Sequence, residues 1–205
     1  MILEFFVPFV MRTVLFMVLL VNLSACDRGS NEAEQEFAGN KVEEEGEAIE
    51  SGQGLVGKLD ISLRGTAMVD TPFQDPEGST VRLSNFIGKP VLVNIWATWC
   101  APCIVEMPML DKLAVREKGR LKVLVVSQDI QGAEKVVPFF ERGGYEELEP
   151  YVDPENGLSF GFGSGLMPTT VLYDAQGKEV WRVIGAMDWD GAKAAALLEE
   201  TLAEG

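Results

Sequence analysis

The sequence predicts an α/β fold, with a central mixed β-sheet, helices on both faces of the sheet and a pair of short strands at the N-terminal end. Strand-like and helix-like patterns alternate along residues 55–205, as in sheets that are covered by helices. The run Val91–Trp96 is almost continuously apolar, which is typical of a strand buried on both faces. A chain of 205 residues that is 47% hydrophobic can bury one sizeable core, but hardly two full domains.

The individual elements follow from local patterns of apolar residues and turn residues. Short apolar runs predict six strands, at Leu59–Leu63, Thr80–Leu83, Val91–Trp96, Leu121–Val126, Thr169–Tyr173 and Glu179–Ile184. Apolar residues at helical spacing predict three helices, from about Cys100 through Ala114, from Ala133 to Phe140 and from Gly191 to Leu202. The segment Asp174–Gly177 predicts a hairpin turn before the last strand, because Asp and Gly favour tight turns.

Residues 1–25 have the pattern of a targeting segment with a signal peptide rather than of part of the fold. Arg12 precedes an apolar run that is too short to span a bilayer comfortably, and translation from Met11 would place the positive charge first. The run ends in Leu-Ser-Ala-Cys, which resembles the lipobox of bacterial lipoproteins and implies lipidation of Cys26. An ordinary signal peptide cleaved near Ala25 and an uncut signal anchor are the alternatives.

Residues 26–54 form an acidic segment with Glu-rich runs, small residues and no period that would bury a face. Such a composition buries too little apolar surface to fold, so we expect a disordered tether that begins at the lipidated Cys26. The chain is therefore predicted to consist of a leader at 1–25, a tether at 26–54 and one folded domain at 55–205.

Charge and composition exclude several classes of function. The net charge of −15 opposes sequence-independent binding to nucleic acid, which requires Lys and Arg against the phosphates. The chain has no histidine, which excludes Ser-His and Cys-His nucleophile pairs and Cys/His zinc sites. Proton transfer must then use Glu, Asp or Cys, and we expect neither a cofactor nor a resident metal.

Two of the three cysteines, Cys100 and Cys103, lie in the stretch WCAPC, where they could exchange electrons, bind a metal or form a static crosslink. The predicted helix begins near Cys100, where free N–H groups and the helix dipole favour a thiolate, so Cys100 is expected to be the attacking thiol. Cys103 lies one turn further on the same face and is expected to resolve the mixed disulfide. A bridge across only two residues constrains the unfolded chain little, which argues against a purely structural role.

The stretch VLVNIWATWCAPC resembles the active-site strand and helix start of thioredoxin-fold proteins, and MPTT at 167–170 resembles their loop with a cis proline. Together with the lipobox, the N-terminal strand pair and Glu106 in CxxCxxExP, these motifs resemble the TlpA/ResA-like family of membrane-anchored thiol-disulfide oxidoreductases. The resemblance covers about residue 55 to the end. It implies a thioredoxin-like fold, a redox-active disulfide between Cys100 and Cys103, and a cis peptide bond before Pro168.

Glu106 has two interpretations. The resemblance implies a catalytic proton carrier close to Cys103, whereas a first-turn acid can also simply be stabilised by the helix dipole. Thioredoxins carry a buried Asp in the strand before the motif, and this chain has Asn94 at the matching position. Since Asn cannot take up the proton, Glu106 would have to supply the carboxylate.

Four further residues are expected to contact the substrate. Trp99 would give the exposed sulfur of Cys100 an apolar flank, and Pro102 would stiffen the turn that holds the cysteines. At Met167 and Pro168, the cis bond that the resemblance implies would expose the Met167 backbone, with which an extended substrate segment could pair as an added strand.

The direction of electron flow is predicted from the residues around the cysteines. Strong oxidants of this fold carry a His between the two cysteines, whereas this chain has Ala101-Pro102, and an acidic Glu106 would also disfavour the thiolate. We therefore expect a reductase of disulfides in exported proteins, at the periplasmic side of the bacterial cytoplasmic membrane. The resemblance implies apocytochrome c thiols or copper-site cysteines as substrates and a membrane thiol-disulfide protein as electron donor.

The sequence also allows three alternative functions. The chain could be a disulfide oxidant, or a Cu(I) metallochaperone in which the CxxC pair and nearby methionines supply soft sulfur ligands. A redox-inactive interaction module is disfavoured by the presence of both cysteines.

Overall fold

The computed structural model describes residues 48–50 and 56–203. The leader at 1–25, Cys26 with its predicted lipidation, and residues 27–47 of the predicted tether lie outside the described residues. At Ala48–Glu50, inside the predicted tether, the structure has a short β-strand instead. None of the helices in the described part of the chain is long and apolar enough to cross a membrane.

Within the described residues, the strands form one nine-stranded mixed sheet, on which the helices pack. The strands are β1 Ala48–Glu50, β2 Val56–Asp60, β3 Phe73–Gln74, β4 Thr80–Val81, β5 Val91–Trp96, β6 Lys122–Ser127, β7 Tyr151–Val152, β8 Thr169–Tyr173 and β9 Glu179–Ile184. The α-helices are α1 Ala101–Arg116, α2 Ala133–Gly143, α3 Gly157–Phe162 and α4 Ala192–Leu202, and Leu83–Phe86 forms a 3-10 helix. The strand order is β1-β2-β9-β8-β5-β6-β7-β3-β4.

The centre of the sheet is β5, which runs parallel to β6 and antiparallel to β8. All six of its residues are buried, because helices cover both faces. Leu92 and Trp96 face a core that contains side chains of α1, α2 and α4. Val93 and Ile95 face a second core, beneath α3 and the 3-10 helix. The predicted α/β fold with helices on both faces is confirmed, and β5, β8 and β9 have the predicted bounds.

The N-terminal strands differ from the prediction. The strand predicted at Leu59–Leu63 begins and ends earlier, at Val56–Asp60, because the Asp60 carboxylate accepts the Ser62 N–H at 2.8 Å and starts a turn. The strand predicted at Thr80–Leu83 ends at Val81, before the 3-10 helix. The N-terminal part does contain paired strands, since β2 pairs with β1 as well as with β9, and β4 pairs with β3. The two predicted strands, however, do not pair with each other.

A buried ion pair fastens α3 to the sheet. Arg182 on β9 is 5% exposed and contacts both carboxylate oxygens of Glu179, which is 3% exposed, at 2.7 Å each. Its third donor contacts the carbonyl of Phe162, the last residue of α3, at 2.5 Å. All three contacts are charge-assisted, which makes them stronger than neutral hydrogen bonds.

We expect Arg182→Met to lower the free energy of unfolding by about 3 to 5 kcal/mol, because the change leaves the Glu179 carboxylate buried without its partner. The double change Glu179→Met and Arg182→Met should cost less than the single change, since it leaves no buried charge. Urea denaturation gives the free energy of unfolding of the wild type, the single variant and the double variant. Arg64→Met serves as a control at an exposed arginine. Equal costs for the single and the double change would contradict this view of the pair.

Candidate functional site

The two cysteines lie where β5 passes into α1. Cys100 is the N-cap residue of α1 and donates its backbone N–H to the carbonyl of Ala97 at 3.0 Å. The disulfide joins it to Cys103, with 5.3 Å between their Cα atoms. Pro102 occupies the first turn of the helix, where a missing N–H removes no intrahelical hydrogen bond. The oxidised pair therefore lies at the predicted place, at the N-terminus of a 16-residue helix.

The exposure of the site differs from the expected arrangement. Cys100 is only 6% exposed and Cys103 only 1% exposed, whereas Trp99 is 68% exposed. Trp99 is thus the prominent surface group beside a largely buried disulfide, and it does not flank an exposed sulfur. Cys100 remains the more accessible of the two cysteines.

A buried carboxylate holds the segment that leads into Cys100. Asp129, which follows β6 and is 1% exposed, accepts the backbone N–H and the hydroxyl of Thr98, each at 2.8 Å. Its Oδ2 atom also accepts the Ser127 hydroxyl at 2.8 Å. Asp129 was not predicted from the sequence, although an acid two residues after a buried strand, at the edge where Cys100 lies, is a signal that could have indicated it.

Glu106 lies inside the core, with no exposed surface. Its Oε1 atom accepts two hydrogen bonds, from the backbone N–H of Met187 at 2.6 Å and from the indole N–H of Trp189 at 2.9 Å. Its Oε2 atom has one contact at 3.5 Å, with the amide nitrogen of Asn94. The Asn94 amide also donates to the hydroxyl of Thr170 on β8 at 2.9 Å. Glu106 is therefore not a solvated first-turn acid.

Burial dominates the ionisation of this group. Desolvation raises the pKa of Glu106 from its ordinary value of 4.5 to about 7, against the lowering effect of the hydrogen bonds from Met187, Trp189 and Asn94. A carboxyl with such a pKa is present in both protonation states near neutral pH. It can therefore take up and release a proton under mild conditions, which a general base requires.

The structure brings Asn94 and Glu106 together, with the Asn94 amide nitrogen 3.5 Å from Oε2 of Glu106. Glu106 lies one turn after Cys103 on α1, and both side chains are buried. Met187 and Trp189 were missed, because no local pattern links them to a residue more than 80 positions earlier in the chain. The catalytic role of Glu106 itself remains a prediction.

The peptide bond between Met167 and Pro168 is cis, as the resemblance implied. The Pro168 carbonyl accepts the backbone N–H of Gly185 at 2.9 Å, whereas among the described residues no hydrogen bond engages the backbone of Met167. The hydroxyls of Ser164 and Thr169 lie 2.8 Å apart and connect the two ends of this loop. The Met167 backbone is therefore available to an extended peptide.

In the part of the chain that the structure describes, no group of three or more His, Cys, Asp or Glu side chains is arranged to hold a metal ion. The two cysteine sulfurs are bonded to each other.

Comparisons with known proteins agree with this site. A family model described as Redoxin matches residues 63–198. The chain is 32% identical to the thiol-disulfide oxidoreductase ResA of Geobacillus thermodenitrificans over 130 residues, which are 63% of this chain and 74% of that protein. It is 37% identical to ResA of Oceanobacillus iheyensis over 120 residues, which are 57% of this chain and 60% of that protein.

Solved structures show the same fold. The pneumococcal exposed lipoprotein thioredoxin Etrx1 from Streptococcus pneumoniae has a TM-score of 0.55 at 29% identity, over 64% of this chain and 99% of that chain. A putative thiol:disulfide interchange protein DsbE from Chlorobium tepidum has a TM-score of 0.61 at 24% identity, over 68% of this chain and 97% of that chain.

The raised pKa of Glu106 predicts a pH-dependent stability that Glu106→Gln should remove. Because the folded pKa lies above the unfolded value, neutral Glu106 stabilises the fold fully below pH 4.5, and this contribution is lost as the pH rises to about 7. Relative to Glu106→Gln, the oxidised wild-type protein should lose about 3 kcal/mol of unfolding free energy between about pH 4 and about pH 8.

Urea denaturation across this pH range measures the difference between the two proteins. Glu134→Gln, at an exposed acid in the first turn of α2, is the matched control and should leave the pH dependence as in the wild type. A wild-type and Glu106→Gln difference that is constant with pH would contradict the assigned ionisation.

Proposed function

Since the chain belongs to the redoxin family and is a ResA-like thiol-disulfide oxidoreductase, we propose that it reduces disulfides in exported proteins. The observation that carries this proposal is the Cys100–Cys103 pair at a helix N-terminus, with the neutralisable Glu106 buried one turn further on. The negative charge of ionised Glu106 disfavours a thiolate at Cys103, so Cys103 is favoured as the neutral thiol. A dithiol whose thiolate is less stabilised is the better electron donor.

The reaction begins with the reduced pair. The Cys100 thiolate attacks one sulfur of the substrate disulfide, so that a mixed disulfide forms and the other substrate sulfur leaves and takes up a proton. The Cys103 thiol then gives its proton to the ionised Glu106 and attacks the Cys100 sulfur. The second substrate sulfur leaves and is protonated, and the enzyme keeps the Cys100–Cys103 disulfide. Two electrons have passed from the enzyme to the substrate.

The surface around the pair is suited to an extended substrate segment. The unpaired backbone of Met167, beside Pro168, can form hydrogen bonds with such a segment as an added strand. The exposed Trp99 and the exposed Pro102 offer the substrate apolar contacts beside Cys100, which they flank in the sequence. Apocytochrome c and proteins with copper-site cysteines are the proposed substrates, because their cysteines must be reduced before they bind haem or copper.

The enzyme also requires a source of electrons. We propose that a membrane thiol-disulfide protein reduces the Cys100–Cys103 disulfide after each turnover, by the same exchange in the opposite direction. The proposed location is the periplasmic side of the bacterial cytoplasmic membrane, where lipidated Cys26 and the tether at 26–54 would hold the domain near this donor. The pneumococcal relative, which is an exposed lipoprotein, supports an anchored arrangement.

A measured reduction potential tests the direction of electron flow. We expect a value nearer to that of thioredoxin, about −270 mV, than to that of the strong oxidant DsbA, about −120 mV. Equilibration of the Cys100–Cys103 pair with defined dithiothreitol ratios gives the potential. A value near that of DsbA would reverse the proposed direction.

The same proposal predicts which proteins are bound. Cys103→Ser leaves Cys100 joined to its substrate, because the resolving thiol is gone. The variant should accumulate mixed disulfides with exported proteins, whereas Cys100→Ser, which lacks the attacking thiol, should accumulate none. Capture by Cys100→Ser at the level of Cys103→Ser would assign the attacking role to Cys103 instead.

The anchor is tested separately in the full chain. We expect the wild-type protein to incorporate labelled palmitate and to fractionate with membranes, and Cys26→Ser to lose the label. A soluble, unlabelled wild-type protein would indicate ordinary cleavage near Ala25. A variant and a wild type that are both unlabelled and membrane-bound would indicate an uncut signal anchor.

A further inference from the structure

The connection between β9 and α4, residues 185–191, supplies two of the three hydrogen bonds to Glu106. The Met187 N–H lies 2.6 Å and the Trp189 indole nitrogen 2.9 Å from the same carboxylate atom, Oε1. The Met187 distance is short for a neutral donor, as is usual when the acceptor carries charge, and the Trp189 distance is that of an ordinary hydrogen bond. Neither residue contains a group that takes part in thiol chemistry, so their contacts point to a supporting role.

The two oxygens of Glu106 are therefore unequal. Oε1 is fully occupied by two N–H groups that can donate but cannot accept a proton. Oε2 has only the contact with the Asn94 amide at 3.5 Å, a distance at which a hydrogen bond is weak. A proton that arrives at the carboxylate can be accommodated on Oε2, but not on Oε1 without the loss of a donor.

Trp189 is held in place by its neighbours. It is fully buried, and its ring lies parallel to that of Trp181 at a centroid distance of 6.5 Å and an interplanar angle of 17°. The indole N–H of Trp181 in turn donates to the carbonyl of Leu197 on α4 at 3.3 Å. The indole N–H of Trp189 therefore meets Oε1 in a geometry that packing has fixed before any proton moves.

The groups in hydrogen-bond contact with Glu106 are uncharged. Cys103, one turn earlier on α1, can carry a charge as a thiolate when the disulfide is reduced. The strands β5 and β8 contribute Asn94 and Thr170. The 185–191 segment carries the charges of Asp188, which is part-exposed, and of Asp190, which is exposed and pairs with Lys112 of α1 at 3.0 Å. Charged side chains do not contribute to the ionisation of Glu106, which is set by burial and by the hydrogen bonds of neutral donors.

We propose that Trp189 is a positioning residue for the redox reaction: with the Met187 amide, its indole N–H fixes Oε1 of Glu106 and makes Oε2 the oxygen that exchanges the proton. This role deepens the proposed function and rests on it, since Glu106 is the base for Cys103 there. Trp189 stabilises the ionised form of Glu106, and thereby keeps the base available near neutral pH.

Trp189→Phe keeps an aromatic ring beside Trp181 and removes the N–H donor together with the five-membered part of the indole, as the control variant below also does at Trp181. The loss of a hydrogen bond to a charged group changes a pKa by about one unit or more. Because the lost bond stabilises ionised Glu106, the pKa of Glu106 should rise by about that amount. Titration of the Glu106 carboxyl carbon by ¹³C NMR, assigned by its absence in Glu106→Gln, measures the shift without reference to activity. The pH at which substrate reduction reaches half its maximum should rise by the same amount.

Trp181→Phe is the matched control. It removes a buried indole N–H from the stacked partner, but leaves both donors of Glu106 in place. The midpoint of Glu106 should stay within about 0.3 units of the wild type in this variant, because no hydrogen bond to the carboxylate is lost. Equal midpoints in Trp189→Phe and Trp181→Phe would overturn the proposal.

A second measurement uses the wild-type protein and does not depend on the folding of Trp189→Phe. The indole N–H resonance of Trp189 should titrate with the midpoint of Glu106 and lose this titration in Glu106→Gln, while that of Trp181 should not respond. A Trp189 resonance that is constant with pH would overturn the proposal. If the Glu106 pKa shifts as expected in Trp189→Phe but the reduction potential lies near that of DsbA, the role of Trp189 stands. Only the proposed direction of electron flow would then be overturned.

Discussion

The site depends on a balance at one carboxyl group. The interior disfavours the ionised form of Glu106, because desolvation of a carboxylate costs several kcal/mol, while each hydrogen bond to the charge returns about 1.5 to 3 kcal/mol. The contacts come from β5 and from the segment before α4, and β8 supports the Asn94 amide through Thr170. Since the hydrogen bonds offset part of the desolvation, the pKa of Glu106 lies near neutral pH, at about 7. The packing of three elements thus sets one proton equilibrium.

The sheet places the chemistry at one of its edges. The parallel strands β5 and β6 both end there, and the antiparallel β8 begins there, so Cys100, Asp129 and Pro168 approach the same edge from three neighbouring strands. The order of strands therefore explains why residues separated by about 70 positions lie at one place, and it explains why Asp129 can hold Thr98 with two hydrogen bonds. The helices on both faces bury all six residues of β5, the strand that leads to Cys100 at this edge.

The sequence predicted the elements whose apolar runs are long. Val91–Trp96 and Thr169–Tyr173 have the predicted bounds, because burial on both faces leaves few polar residues in either strand. The two-residue strands β3 and β7 were not predicted, since two residues carry no periodicity. Within the site, the cysteines and Glu106 follow from a local motif. The donors to Glu106 depend on tertiary packing between distant parts of the chain, which no local pattern encodes.

The connection before α4 also bears on how the end of the chain can be altered. Met187 and Trp189 follow every residue of the redox motif, and α4 holds their neighbour Trp181 through the Leu197 carbonyl. A fragment that stopped after β9 would retain both cysteines and the proline loop, and it would still be recognised by its motif, yet it would lack the two N–H donors that hold Glu106. The last helix is therefore not a dispensable cap, and gene fusions at this end need a spacer that leaves α4 undisturbed.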